Sequence, residues 1–374
     1  MSRGERTDLA PHPTLIDVGE PASALPRALM PMRPRLAGRA FNSPEFLFEL
    51  KWDGIRAFAS RDASGLRITD RSGGDLLPLA PELADLAIPD GALIDGEIVV
   101  CDSRGRPSYE LLAERALRAP TREAPPLVFS AQGGTKITKP GRGPVFVAFD
   151  LLYEDGRQLL ARPLAERRAR LAAARLSSPL LAVPEHLDDD GEPFLEVVAE
   201  YGLEGIVAKR RDGRYVPGAR TADWLKCYVT PRADVIVGGL LVERRRGAKA
   251  VLCGFRGDDG AIAFAGEAHV PPYLGGWLDE ATRDFAVSES PFATPLALRE
   301  GMRFLRPRLV AIVEYAGHGA AGELRDARFR ALRFDGRLED ARRDEPVEVP
   351  SYPPRTGRDR PRLVVLHSLP FPME

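Results

Sequence analysis

The sequence predicts an α+β protein in two parts, antiparallel sheets with helices first and a small β-barrel after. Three observations carry this. A chain of 374 residues is long enough for two domains. Its first half is built of short apolar or alternating runs separated by turn residues, the pattern of paired strands. Beyond Trp224 the runs recur at the close, regular spacing of a small barrel. With 44% hydrophobic and 29% charged residues the chain can bury a core, which excludes wholesale disorder. No run approaches the roughly 20 apolar residues of a membrane helix.

Taken in order, residues 1 to 29 read as an irregular, proline-bearing extension. Met1 to Pro13 lacks the apolar stretch of a signal peptide, so the expected location is the cytoplasm. Strands are expected at Phe46–Leu50, Ile55–Ser60, Leu66–Asp70 and Ala92–Val100, the second and third joined by the turn Asp62-Ala63-Ser64-Gly65. Tyr109–Leu117 has helical spacing, and Thr121–Pro144 is a Pro/Gly-rich loop or small hairpin. Val145–Leu152 returns to strand, Leu164–Leu176 and Phe194–Tyr201 read as helices, and Gly205–Lys209 as a strand. The barrel strands are Asp234–Val242, Ala250–Arg256 and Ala261–Ala268, then a helix at Pro272–Phe285 and a strand at Arg308–Tyr315. The tail beyond Asp344 is rich in proline and arginine, and no internal repeat is present.

Cys101, Cys227 and Cys253 lie far apart, which excludes a disulfide framework or a Cys-x-x-Cys zinc site. A net charge of −1 argues against a generally basic coat, although local patches remain open. Only six of the 53 lysines and arginines are lysines (Lys51, Lys136, Lys139, Lys209, Lys226 and Lys249). Where arginine has displaced lysine so thoroughly, the survivors are candidates for chemistry that arginine cannot do, because a lysine can lose its proton and become a nucleophile.

Lys51 stands in Glu49-Leu50-Lys51-Trp52-Asp53-Gly54-Ile55-Arg56, at the end of an apolar strand and ahead of a glycine. Partial desolvation there is expected to lower its pKa and free the amine. The same few residues also describe a surface lysine capping a hairpin. Its company points further. Leu93-Ile94-Asp95-Gly96-Glu97 and Gly202-Leu203-Glu204-Gly205 each set a carboxylate beside an apolar strand. Two acids, several arginines and three lysines at strand ends could hold a divalent cation on oxygen and a polyphosphate on nitrogen.

In these segments the sequence resembles the ATP-dependent DNA ligases, within the covalent lysine nucleotidyltransferases that also include RNA ligases and capping enzymes. The likeness spans roughly residues 30 to 340, with its motifs in the family's order. It implies a nucleotidyltransferase domain over 30–228, an OB-fold domain over 229–344 and a tail over 345–374. It implies that Lys51 becomes adenylated, that Glu49 touches the adenine and Arg56 the ribose, and that Arg71 of Thr69-Asp70-Arg71-Ser72-Gly73 contacts phosphate. Glu97 is implied near the ribose and metal, Phe149 under the adenine, Glu204 on the metal, and Arg220 and Lys226 on the phosphates. The implied cofactors are ATP with magnesium or manganese. The implied substrate is nicked or broken duplex DNA in repair, acted on by a monomer, with a Ku-type end-binding protein as a candidate partner and no membrane.

Two positions depart from the pattern. Tyr228 and Gly336 stand where the family commonly has lysine, and Arg337 lies one position late for the second. These departures leave slow self-adenylation, or a paralogue that binds nicked DNA without joining it, as alternatives; an RNA ligase or capping-type guanylyltransferase is another. The barrel region carries two arginine clusters, Arg299, Arg303, Arg306 and Arg308, then Arg325, Arg328, Arg330, Arg333 and Arg337. They suit either duplex phosphates or a solvated charged face. Gly317-His318-Gly319-Ala320-Ala321-Gly322 satisfies G-x-G-x-x-G without a surrounding βαβ unit, so it reads as a loop. No Walker motif and no paired histidine ligands are present.

Overall fold

A computed structural model of the chain describes residues 25–118, 143–176 and 178–353. The segment expected as a loop at Thr121–Pro144 lies almost wholly outside them, as do residues 1–24 of the N-terminal extension and 354–374 of the tail. In chain order the first part comprises β1 (Arg33–Leu36), β2 (Ser43–Leu50), β3 (Ile55–Asp62), β4 (Gly65–Thr69), β5 (Ala92–Val99), α1 (Tyr109–Arg118) and β6 (Val145–Glu154). It continues through β7 (Arg157–Gln158), α2 (Leu164–Ala173), β8 (Leu181–Ala182), β9 (Leu187–Asp189), α3 (Gly191–Glu200), β10 (Gly205–Arg210) and β11 (Arg220–Tyr228). Two sheets result, one ordered β1-β11-β10-β2-β9 and the other β4-β3-β5-β6-β7, with β8 beside β6.

The two sheets share a core in which Phe46, Phe48, Leu50 and Trp52 of the first meet Val99, Val145 and Val147 of the second. Strands covered on both faces read as continuous apolar runs, which is why Val145–Leu152 is buried throughout. Beyond the second sheet lies another core of Ile55, Ile94, Ile98 and Phe146 under Tyr109 and Leu112 of α1. Helix α2 buries Leu164, Arg167, Arg168 and Leu171, one helical face. The two arginines survive burial because Arg167 forks onto Asp150 with two bonds of 2.8 Å and Arg168 reaches the carbonyls of Phe149 and Pro184.

The sheets are not wholly antiparallel, as the sequence pattern suggested. β1 pairs β11 in parallel, as β8 does β6. Neither β1 nor β11 stands out in sequence, because Arg33-Pro34-Arg35-Leu36 does not alternate and its partner lies far along the chain.

The second part holds β12 (Arg232–Glu243), β13 (Gly247–Arg256), β14 (Ile262–His269), α4 (Pro272–Ala281), β15 (Ala286–Val287), β16 (Met302–Leu305), β17 (Val310–Glu314), β18 (Gly317–His318), β19 (Leu324–Arg325) and β20 (Arg328–Arg333). The long strand β12 pairs β13 along one edge and β16 and β17 along the other. From β13 the pairing passes to β14, by one parallel bridge to β20, and from β20 back to β17. Val235, Val237, Leu240, Val251, Val313 and Phe329 fill the interior. Among the described residues no helix is long and apolar enough to cross a membrane.

After β20 the chain turns back. Residues 338–340 form a 3-10 turn, and Val347 bridges Ala37 in parallel, its N–H donating to Leu36 O at 2.8 Å and its carbonyl accepting from Gly38 at 3.0 Å. Val347 and Val349 pack on the core between the first two sheets. The stretch read as the start of a tail therefore lies against the first part of the molecule.

Candidate active site

Lys51 is the first residue past β2, and its backbone N–H donates to Gly205 O at 2.9 Å. That bond ties the turn to the start of β10, so Lys51 Nζ meets Glu204 Oε2 at 2.9 Å. Glycine is needed at position 54, since a Cβ there would lie 2.2 Å from the Ile98 carbonyl oxygen. The close approach lets the Gly54 N–H donate to Glu97 Oε1 at 2.8 Å. Burial pushes the Glu97 carboxyl up to about 7, against the pull of Lys51 and Arg56. Burial raises Glu204 as well.

The expectation that desolvation frees the Lys51 amine is corrected here. Burial does pull its pKa down, but Glu204, Tyr228 and Glu97 together more than reverse this, so Lys51 is a firmly held ammonium. Glu204 is in turn 3.4 Å from Arg232, which also holds Asp53 at 3.1 Å and Glu314 at 2.8 Å.

A second cluster lies between the two sheets. Glu49 accepts from Lys209 Nζ at 2.6 Å, and that ammonium lies 4.1 Å from the centre of the Phe149 ring and 4.4 Å from that of Trp224. Burial would raise Glu49, yet Lys209 and Arg168 hold it below its ordinary value. Burial lowers Lys209 in spite of Glu49. Glu49 Oε1 and Arg168 Nε, 3.5 Å apart, are buried without hydrogen-bond partners. Such orphaned polar atoms are costly unless a ligand completes them.

Arg56 stands opposite Glu97 in the β3–β5 register, but its guanidinium forks onto Asp95 at 2.5 and 2.6 Å. Tyr215 donates to the same carboxylate at 2.7 Å, and Arg56 lies 4.6 Å over the Phe149 ring. Asp95, Tyr215 and Trp224 were not singled out from sequence, and Lys209 only as one of the six lysines. Asp95 and Lys209 stand inside the motifs quoted, so their place in the pattern was the available signal.

The cations expected on phosphate are all engaged by the returning chain. Arg71 pairs with Asp340 and donates to Asp335 O at 2.6 Å. Arg220 and Lys226 both hold Asp344, at 2.5 and 2.6 Å. Tyr228 lies between Lys51 and Lys226, its ring centre 5.5 and 5.4 Å from the two ammonium groups. Gly336 packs beside Val310 and Arg333. Lys51, Glu204, Arg220, Lys226, Tyr228 and Arg232 line one cavity between the two parts of the molecule.

The arginines of the second part divide. Arg299 pairs with Glu267, Arg303 with Asp279, Arg330 with Glu110 and Arg333 with Asp335. Arg306, Arg308, Arg325 and Arg328 are exposed, and Arg337 is half-buried. The G-x-G-x-x-G stretch begins as the short strand β18, paired with β19, consistent with its rejection as a nucleotide loop.

Comparison with known proteins adds a family model described as the ATP dependent DNA ligase domain, which matches residues 34–227. The multifunctional non-homologous end joining DNA repair protein LigD of Mycobacterium tuberculosis is 33% identical over 311 residues, 80% of this chain and 38% of that protein. The chain thus spans well under half the length of that relative. The SPbeta prophage-derived DNA ligase-like protein LigB of Bacillus subtilis is 31% identical over 199 residues, 53% of this chain and 67% of that protein. Among solved structures, mycobacterial DNA ligase D complexed with ATP and MES aligns with a TM-score of 0.56 and 34% identity over 84% of this chain and 98% of that one.

Proposed function

The chain belongs to the ATP-dependent DNA ligase family, and from that premise we propose that it joins nicks or breaks in duplex DNA through a covalent lysine-AMP intermediate. The observation that carries this is the convergence of Lys51, Glu204, Arg220 and Lys226 on one cavity, with Glu97 held against the Lys51 turn. In this reading residues 30–228 are the adenylation domain and 229–344 an OB-fold domain. The circuit of pairings β12-β13-β14-β20-β17 supports the barrel.

Lys51 attacks the α-phosphorus of ATP, forming an N–P bond as the bond to pyrophosphate breaks. The ammonium must first release its proton to solvent. Glu204, 2.9 Å from Nζ, is the carboxylate that holds that proton in place, so any movement of Glu204 away from Nζ lowers the lysine pKa. Phe149 is the aromatic ring for the adenine, in place of the Lys209 and Arg56 cations that now lie 4.1 and 4.6 Å from its centre, and Glu49 Oε1, which has no hydrogen-bond partner, offers the exocyclic amine an acceptor. Arg56, fixed by Asp95, lies toward the ribose. Arg71, Arg220 and Lys226 hold the phosphates by charge-assisted bonds.

Glu97 and Glu204 suit a hard divalent ion such as magnesium or manganese. Among the described residues no group of three or more His, Cys, Asp or Glu is arranged to hold a metal alone. Two carboxylates fit magnesium, which typically keeps its waters and shares substrate phosphates. Bound there, the ion would offset charge developing on the phosphate oxygens.

AMP then passes to the 5′-phosphate of a nick, and the adjacent 3′-hydroxyl displaces it to close the strand. Repair by non-homologous end joining extends the relative's name to this chain; a Ku-type partner, a monomeric ligase and a cytoplasmic location are part of the same proposal and rest on the family resemblance alone. The test is intact-protein mass after incubation with ATP and magnesium or manganese. Wild type should gain one AMP, and Lys51→Ala and Lys51→Arg should gain none. An adenylated Lys51→Arg protein would overturn the assignment, because a guanidinium stays protonated.

A further inference from the structure

The cations read as phosphate ligands are held by carboxylates of the chain itself. Asp340 takes Arg71 together with Arg33, a residue to which the motifs give no role. Asp344 takes Arg220 and Lys226. The geometry that brings this about is specific. β1 and β11 run in parallel with Arg33 opposite Arg220 and Leu36 opposite Lys226. The returning chain pairs with β1 at Ala37 and Val347, and its Asp344 meets both cations of β11.

The returning chain is anchored at both ends. Near its start, Arg342 pairs with Asp258 and Arg343 donates to Gly322 O at 2.5 Å. Farther on, Val347 bridges Ala37. The Asn42 N–H donates to Ser351 Oγ at 3.0 Å, Tyr352 N–H to Asn42 O at 2.9 Å, and the Ser351 hydroxyl to Glu192 at 2.9 Å. Two acids spaced four residues apart on a strap docked at both ends satisfy four cations. Each carboxylate presents two oxygens to a pair of cations, as a phosphate group would.

We propose that residues 338–352 form an autoinhibitory strap whose Asp340 and Asp344 stand in for the phosphates of the nucleotide, and that the strap must release these cations before a triphosphate binds. Arg33 is thereby assigned to the phosphate site beside Arg71. The inference rests on the reading of the cavity as a nucleotide site. The protein binds triphosphate only in the fraction with the strap released, and its apparent affinity is reduced by that fraction.

The experiment titrates the full chain with α,β-methylene-ATP, which cannot adenylate lysine, and in parallel with adenosine, by calorimetry. Wild type is compared with Asp340→Asn/Asp344→Asn and with Val347→Asp, which keeps both acids but undocks the strap from β1. Both variants should bind the triphosphate at least about tenfold more tightly than wild type, a change of roughly 1.4 kcal/mol, with adenosine affinity unchanged. Equal or weaker triphosphate binding by variants that retain a cooperative unfolding transition would overturn the strap. So would an equal gain for adenosine, which carries no phosphate. If one variant fails to fold, the other decides. Failure of every protein, wild type included, to bind either compound would instead overturn the nucleotide-site reading, and the strap with it.

Discussion

Asp95→Asn isolates what the buried acid on β5 does for the site. Asp95 is fully buried and accepts two bonds from Arg56 at 2.5 and 2.6 Å and one from Tyr215 at 2.7 Å. Asparagine keeps the shape and can still accept from Tyr215, but it loses the charge and turns a donor toward the guanidinium. Removing one partner of a buried pair costs about 3–5 kcal/mol. The Arg56 side chain is 21% exposed, so partial solvation of the orphaned cation places the expected loss near the lower bound, about 3 kcal/mol. At roughly 2–4 °C per kcal/mol for a unit of this size, the unfolding midpoint should fall by about 6–12 °C. Trp52 and Trp224 are buried in the first part, so tryptophan fluorescence follows its unfolding. Adding Arg56→Gln removes the stranded cation, and the double variant should recover about 2 kcal/mol relative to additivity. Adenylation should fall in both single variants, since Asp95 is what fixes Arg56 toward the ribose. A loss under about 1 kcal/mol, or strict additivity of the pair, would refute an energetically coupled Arg56–Asp95 pair.

Gly54→Ala should cost about 1–3 kcal/mol and slow adenylation, because the new methyl group must push the Lys51 turn off the Ile98 carbonyl; an unchanged unfolding midpoint would count against that contact. Asp335 is held below its ordinary 3.8: burial alone would raise it, but Arg333 and then Arg71 and the Tyr109 hydroxyl reverse this. A depressed carboxyl contributes stability that is present above 3.8 and lost as pH falls through its lower folded value. The deficit of Asp335→Asn should therefore be constant from about pH 8 to pH 5; unfolding midpoints across that range that converge would contradict it. Arg306, Arg308, Arg325 and Arg328 of the second part are exposed. Replacing all four with alanine should weaken nicked-duplex binding and lower the salt slope by up to about four, and an unaltered slope in a filter-binding titration would count against their lying on the duplex phosphates.

Much of the architecture was legible because it rests on local pattern. The runs Ile55–Ser60 and Val145–Leu152 reflect strands covered on both faces, and those strands stand where the pattern puts them. The buried face of α2 was legible only in part, since Arg167 and Arg168 occupy it and their partners lie on other elements. β11 was missed because its residues alternate between exposed and half-buried positions over half its length. Among the site residues, Lys51, Glu97 and Glu204 could be picked out because each sets a charge beside an apolar run with a glycine within three positions.

The sequence by itself determined the type of most elements outside β1 and β11, the order of the motifs and the family to which they belong, since these depend on residues close along the chain. Only the tertiary structure decided how firmly Lys51 keeps its proton, beside a carboxylate 153 residues away. It alone joined Arg56 to Asp95 and placed Asp340 and Asp344 on the phosphate cations. Periodicity is a local property and survives in a string of letters. A Coulomb interaction depends on separation in space and on burial, and both exist only once the chain has folded.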